Sequence, residues 1–383
     1  MYSLYLHIPF CRQACHYCDF HFSTTLKRKS EMVAALCKEL IMRKEEAVGS
    51  ELQTIYLGGG TPSILTYDEL KQLFDTIYSY YKVSPTAEIT IECNPDDFFR
   101  LHTPEQLLQQ LVSLGINRLS LGVQSFFEED LRLMNRVHTT TQVTTLLPIA
   151  SQYFDNITID LIYGIPMMSN KRWEENIYKA LSFGIPHISA YALTVEEKTA
   201  LHRFIATGKI PPFDDTQAYT HFHTLINILE KEDFIQYEFS NFGKEGYFSQ
   251  NNTAYWFGKP YMGIGPSAHS FSGTKRSWNI AHNIKYIQQI QQGILPQEVE
   301  TLTPNNRYNE LIITRIRTMV GIDLEEVNNV FGKEYQQYLL TQAKKYISKG
   351  LLYIKENHLK VTKEGKFLSD GIASDLFRVD NLI

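Results

Sequence analysis

Three of the five cysteines in this chain stand at positions 11, 15 and 18, inside the run HIPFCRQACHYCDF. Thiols at that density in one loop suit a metal, and two chemistries fit. A structural zinc would take the three thiolates with His7, His16 or His21 as fourth donor, but zinc sites usually join a CxxC to a second, distant ligand pair. The spacing CxxxCxxC gathers three thiolates in one loop, as iron–sulfur clusters often require. Cys11, Cys15 and Cys18 are therefore read as ligands of a 4Fe-4S cluster, with zinc as the alternative. A four-iron cluster held in this way keeps one iron without a protein thiolate. The amino and carboxylate groups of S-adenosylmethionine can complete its coordination, and an electron from the cluster can then cleave the sulfonium. Cys37, in a helical run, and Cys93, in a strand-like run, are expected to be buried core thiols.

These residues need elements to position them, and six units supply them. Short β-rich runs at 3–10, 53–59, 88–95, 118–125, 156–164 and 187–194 alternate with longer amphipathic stretches such as 29–47, 66–81 and 103–115. The last has Thr103 as N-cap, Pro104 in the first turn and Gly115 as stop. Repeated βα units predict an α/β fold with a parallel sheet, here a partial (β/α)6, TIM-like barrel over residues 1–240. The unusual polar and glycine clusters fall at the C-terminal ends of the strands: the cysteines, GGGTP at 58–62, Glu92-Cys93-Asn94-Pro95, Gln124-Ser125, Asp160 with Tyr163-Gly164, and Tyr191-Ala192. In parallel α/β architectures that edge carries the ligand.

Composition bounds the rest. With 383 residues, 43% hydrophobic and 21% charged, the chain supports one large core plus a smaller domain and is not expected to be disordered. The start MYSLYLHIPF lacks the basic and long apolar regions of a signal peptide, and no apolar run approaches the roughly 20 residues of a spanning helix. A cytoplasmic location without a stable membrane span is expected, where thiols stay reduced. A net charge of -5 argues against a nucleic-acid partner.

In order along the chain stand HIPFCRQACHYCDF, GGGTP, GVQSF, MNRVH, DLIYGIP and GIGPSAHSF. This set resembles the radical S-adenosylmethionine proteins related to oxygen-independent coproporphyrinogen III dehydrogenase, and within them the heme-chaperone branch. The resemblance implies a partial barrel with a 4Fe-4S cluster, bound S-adenosylmethionine and a smaller C-terminal domain. It further implies that Tyr5 and Tyr17 lie beside the cofactor, that Gly59, Gly60 and Thr61 contact its methionine end, and that Glu92, Gln124 and Asp160 make polar contacts to ribose and methionine groups. Arg136 matches a carboxylate partner, and Ala192 and His269 match cofactor-lining positions. Each has a plain structural alternative: core aromatics, a sharp glycine turn, strand-end caps, a surface arginine, a satisfied histidine.

Two departures separate chaperone from dehydrogenase. The dehydrogenases are extended before the first strand and carry a further cysteine after the triplet, whereas here strand 1 starts at residue 3 and Cys18 is followed by Asp19-Phe20. Chaperone relatives show an HNxxYW motif associated with heme, but this chain reads Asn251-Asn252-Thr253-Ala254-Tyr255-Trp256. An amide is a poor iron ligand beside imidazole, so an axial ligand is expected elsewhere, with His269, Tyr255 and a nearby cysteine as candidates. The expected function is a heme carrier that delivers to acceptor apoproteins, with an electron donor as a further partner if the cluster is reduced. The alternative is the dehydrogenase of porphyrin biosynthesis. Residues 241–300 form a connecting segment, in which 261–271 is expected to return toward the site. Helical runs at 303–319, 323–331 and 334–350, then a hairpin at 351–362 with Glu356-Asn357 at its turn, give residues 301–383 a winged-helix-like α+β outline. That outline tempts a DNA-binding reading, but 12 Lys+Arg against 10 Asp+Glu over 303–383 is no basic footprint.

Overall fold

The apolar runs become strands buried on both faces, because helices cover one side of the sheet and side chains fill the other. Strand β4 (Arg118–Gln124) is buried at every position. The computed structural model describes residues 2–101 and 103–379, so 380–383 of the expected C-terminal unit lie outside the described residues. The barrel strands are β1 (Tyr2–Ile8), β2 (Leu52–Gly59), β3 (Val83–Cys93), β4, β5 (Asn156–Tyr163) and β6 (His187–Ala192). Between them run α1 (Lys29–Arg43), α2 (Tyr67–Tyr80), α3 (Pro104–Ser113), α4 (Glu128–Leu133), α5 (Thr140–Ala150) and α6 (Asn170–Leu181).

Local chemistry sets their ends. Thr66 and Thr103 each form a capping box, with Glu69 and Gln106 reaching back to the cap. Helix α3 stops in a Schellman turn: Gly115 takes φ 87°, and Ile116 N–H donates to Leu111 O at 3.3 Å, the left-handed residue and long return bond of that motif. The run expected to be helical over 29–47 is α-helical only to Arg43 and continues as a 3-10 turn, Lys44–Ala47. Strand β3 starts ahead of its apolar run because Val83 pairs with Leu52 before a register shift that accommodates Pro85.

The chain continues with α7 (Ala200–Ala206), α8 (Asp215–Lys231), β7 (Ile235–Gln236), β8 (Asn241–Gly243), α9 (Gln250–Trp256), β9 (Tyr261–Ile264), β10 (His269–Phe271), β11 (Lys275–Asn279), α10 (Asn283–Gln291) and β12 (Gln297–Thr301). The sheet order is β12-β11-β10-β9-β1-β2-β3-β4-β5-β6-β8-β7. Neighbours from β9 to β6 are all parallel, so the sheet has a seventh parallel strand, β9, that the sequence reading does not identify. Its four residues are too short for a periodic signal. Gly263 within it lies so close to the returning chain that a Cβ would stand 2.0 Å from His269 O, an approach open only to a residue without a side chain. Among the described residues no pairing joins the two sheet edges, so the barrel is open.

Elements α11 (Pro304–Ile316), β13 (Ile322–Asp323), α12 (Leu324–Phe331), α13 (Lys333–Ser348), β14 (Leu352–Lys355), β15 (His358–Val361) and α14 (Ser369–Leu376) follow. Their three-stranded sheet, in order β13-β15-β14, and their helices surround a second core around Tyr308, Ile312, Leu339 and Leu359. The hairpin turns at Glu356 (φ 50°) and Asn357 (φ 62°), the two positive-φ positions of a tight two-residue connection.

A buried ion pair ties the β9–β11 segment to the barrel. Glu39, fully buried, accepts from Gly265 N–H at 2.8 Å, Asn279 Nδ2 at 2.7 Å and the Tyr286 hydroxyl at 2.5 Å. Arg43 pairs with it at 3.2 Å and donates to Gly263 O at 2.7 Å. Glu39→Ala leaves the Gly265, Asn279 and Tyr286 donors buried without this acceptor and Arg43 with Glu46 as its one remaining carboxylate. Urea unfolding is expected to show a loss of about 3–5 kcal/mol, whereas a loss within about 0.5 kcal/mol would mean the network carries no net stability.

Candidate functional site

The cysteine loop leaves β1 and is pinned on both sides. Gly60 N–H donates to Ile8 O at 2.9 Å and Thr61 N–H to Phe10 O at 2.7 Å, which fixes the loop against the end of β2. Opposite, His16 N–H reaches Met134 O at 3.1 Å, His16 Nδ1 donates to Leu133 O at 2.8 Å, and Asn135 Nδ2 donates to Ala14 O at 2.7 Å. His16 is thereby used in structure. The three thiols are half-buried and free. Thr61 Oγ1 donates to Cys11 Sγ at 3.6 Å and Arg136 Nη1 to Cys15 Sγ at 3.5 Å. Burial pushes the Cys11 and Cys18 thiols up to about 11, with Cys15 adding to the rise in both. Among the described residues no three His, Cys, Asp or Glu side chains gather closely enough to hold a single metal ion. Cys37 and Cys93 are buried core thiols, as expected.

Arg136 links the loop to the strand ends. Its Nη2 donates to Asn94 Oδ1 at 2.5 Å and to Gly122 O at 2.8 Å, while its Nε is buried without a partner among the described residues. A Cβ at position 122 would stand 2.9 Å from Gln124 Nε2 and 3.0 Å from Arg136 Nη2, so glycine keeps this cradle open. Gln124 itself has φ 65°, beside the bulge in the β4–β5 pairing, and that is a region side chains rarely adopt. Tyr17 lies within electrostatic reach of Arg136, Cys15 and Cys18. Gly59 approaches β1 so closely that a Cβ would lie 2.6 Å from the His7 ring.

Two carboxyls sit in the barrel mouth. Glu92 accepts from the Tyr56 hydroxyl at 2.8 Å. Burial raises it to about 7, opposed by that hydrogen bond and reinforced by Asp160. Asp160 accepts from Ser120 Oγ at 3.3 Å. Burial raises it to about 6 against hydrogen bonds from Ser189 and Ser120 and the charges of Arg118 and Arg136. Both therefore hold protons far above the usual carboxylate range, a property that clusters at functional sites.

A cavity of about 1140 Å3 opens from this mouth toward the C-terminal unit. Of the residues expected in the site, it is lined by Tyr5, Gly59, Glu92 and His269; the cysteines, Tyr17, Gly60, Thr61, Gln124, Arg136, Asp160 and Ala192 are not in its wall. Asn252, Tyr255 and Trp256 of α9 line it, with Phe257, Phe271 and Phe331. Asn251 does not. It is buried with its amide turned to β2, where Thr54 Oγ1 donates to its Oδ1 at 2.9 Å. The position of the motif histidine is therefore a packing position here.

His7 and His21 also line the cavity: both ring nitrogens of His7 are engaged, with the Tyr5 hydroxyl at 3.1 Å and His21 O at 2.8 Å, and one of His21, Nε2, with Asn283 Oδ1 at 2.7 Å. His269 has no hydrogen bond from its ring among the described residues, packs 6.0 Å from the Trp278 ring, and is kept toward the neutral form by burial and by Arg276, both of which disfavour a second positive charge there. Residues that the motifs do not single out complete the site: Tyr56 and Asn94 at strand ends, Arg276 paired with Glu310, and Arg307 stacked 5.8 Å from the Phe331 ring. Asn94 is legible as part of the strand-end cluster; the arginines come from the C-terminal half and carry no local signal.

Residues 5–180 match the radical SAM superfamily and residues 302–368 the HemN C-terminal domain. In structure the chain is similar to coproporphyrinogen III oxidase (HemN) from Escherichia coli, with a TM-score of 0.85, 23% identity and coverage of 98% of this chain and 90% of that one, a likeness of fold. In sequence it is similar to the heme chaperone HemW of Bacillus subtilis, 32% identical over 376 residues covering 97% and 98% of the two chains. HemW of Mycobacterium tuberculosis is 30% identical, covering 98% and 94%, and HemW of E. coli is 34% identical, covering 70% and 69%. On relatives matched across nearly their whole length, the chain belongs to the HemW family of the radical SAM superfamily.

Proposed function

We propose that this chain carries heme and delivers it to acceptor apoproteins, and that it also binds a 4Fe-4S cluster and S-adenosylmethionine. The observation that carries the heme assignment is the cavity: about 1140 Å3, walled by aromatic rings, with Arg307 as a partner for a carboxylate and His269 as an imidazole without a hydrogen bond among the described residues. Those are the contacts a porphyrin with propionates and a central iron asks for.

The cofactor assignment is supported by donor chemistry. Cys11, Cys15 and Cys18 supply three soft thiolates from one loop. The unpartnered Nε of Arg136 and the cradle beside Gly122 offer room and a donor for a carboxylate. Gly59 reaches the cavity wall, and Gly60 and Thr61 fix the cysteine loop beside it. Glu92 and Asp160 offer acceptors for hydroxyl and amino groups, and Tyr5, Tyr17, Gln124 and Ala192 complete the proposed surroundings. The cluster, when bound, supplies a one-electron reductant for the sulfonium. This chain's residues orient the ligand, neutralise its carboxylate and keep its acceptors desolvated. A cytoplasmic location accords with five unpaired cysteines.

Three measurements test these assignments. Anaerobic reconstitution is expected to load about four irons and four sulfides, and alanine at any one of 11, 15 or 18 to abolish the visible absorption; stoichiometric zinc without iron uptake would refute the cluster.

Above pH 7, where Glu92 is ionised, Glu92→Gln is expected to weaken S-adenosylmethionine binding about tenfold by calorimetry, the loss of one charge-assisted acceptor. The same variant tests the electrostatics of the free protein. A carboxyl raised to about 7 when folded binds its proton more tightly than the unfolded chain does. Its contribution to stability is therefore present at low pH and is lost as pH rises through roughly 4.5 to 7. Glu92→Gln is expected to flatten that decline; an unchanged pH–stability curve would contradict the buried, protonated carboxyl.

Heme titration is expected to give a saturable Soret band and transfer to apomyoglobin, without conversion of coproporphyrinogen III in a parallel anaerobic incubation. His269→Ala should weaken binding and shift the Soret maximum. Absence of heme binding together with decarboxylated product would replace the carrier by the dehydrogenase.

A further inference from the structure

A second, smaller pocket of about 270 Å3 lies where the C-terminal unit meets the barrel, sharing Glu238, Phe239 and Arg317 with the large cavity. Its charge is one-sided. Arg317, Lys360, Lys363 and Lys366 line it, against the single carboxyl of Glu238. Glu238 is occupied, accepting from Asn241 Nδ2 and, at 3.1 Å, from Ser240 N–H, and burial raises it above the usual carboxylate range. Of the cations, Lys363 pairs with Glu230 at 2.6 Å and Arg317 with Asp370. Lys366 has only a neutral partner, Gln236 Oε1 at 2.6 Å, and no described carboxylate lies within ion-pair distance of Lys360 or Lys366. Burial lowers the Lys366 ammonium from its ordinary value, outweighing the longer-range pull of Glu230, with Lys363 adding to the fall.

The independent sign of a ligand is Ser369. It begins α14, is 2% exposed, lines this pocket, and its Oγ has no hydrogen-bond partner among the described residues. Buried hydroxyls almost always find a partner, and an orphan beside unneutralised cations calls for an acceptor that bridges them. We propose that this pocket binds a small oxyanion of the phosphate class, with Lys366 and Lys360 as charge partners and the Ser369 hydroxyl as a donor. The volume suits an inorganic phosphate or the phosphate head of a monoester.

The test is calorimetric titration of the full-length chain with inorganic phosphate and, separately, with glycerol 3-phosphate. One saturable site per chain is expected for at least one of them; tighter uptake of the monoester assigns esters and the reverse assigns the free ion. Lys366→Gln should weaken binding at least tenfold and Ser369→Ala severalfold, while Lys171→Gln, a lysine on α6 that is 85% exposed, should leave it unchanged. Thermal melts of the free variants establish that they are folded, and 31P line broadening gives a second readout in Ser369→Ala. No saturable uptake of either anion, unchanged affinity in folded Lys366→Gln, or an equal loss in Lys171→Gln would overturn the site.

Discussion

The architecture around the cavity depends on one short helix being held at each end by a charge opposite to that end of its dipole. At the N-terminus of α9, Glu88 of β3 accepts from Gln250 N–H at 2.9 Å, Asn251 N–H at 3.0 Å and Ser249 Oγ at 3.3 Å. At its C-terminus, Arg315 of α11 donates to the carbonyls of Trp256 and Phe257 and lies 4.5 Å from the Phe257 ring. An anion at the positive end and a cation at the negative end of a helix are both favourable. Both groups are buried, so each is costly unless its partners stay in place. The clasp therefore also joins two units: the carboxylate belongs to the barrel, the guanidinium to the C-terminal domain. With α9 fixed in this rotation, Asn252, Tyr255 and Trp256 face the cavity and Asn251 faces β2.

The cofactor edge follows from a second constraint. β1 has parallel partners on both sides, β2 and β9, so its C-terminal end is boxed in and the chain must leave it as a loop over the sheet edge. That loop carries the cysteines. Because every barrel crossover returns the chain to the same end of the sheet, Gly59, Glu92, Gln124 and Ala192 arrive at one rim although they are far apart in sequence. Strain and desolvation concentrate there, in the left-handed backbone of Gln124 and the proton-retaining carboxyls of Glu92 and Asp160. Groups held in this way would spare a ligand bound at this edge, as proposed, the rearrangement that a relaxed site would need.

Taken by itself, the sequence determined what is local. The cysteine spacing, the six βα units, the capping boxes at Thr66 and Thr103, the Gly115 stop and the Glu356-Asn357 turn all depend on contacts within a few residues, so residue type and period suffice to find them. The ordered motifs likewise identified the superfamily. Only the tertiary structure decided which side chains meet. The four-residue β9 is a strand because β1 offers it an open edge, and the orientation of Asn251 is fixed by Thr54, 197 positions away in sequence. Arg307 joins the wall that holds Tyr5 and Glu92 only after the C-terminal domain has docked, while His269 and Arg276 reach it through β10 and β11 of the main sheet. Those encounters are set by long-range packing and burial, and single-sequence patterns carry no record of distance between elements.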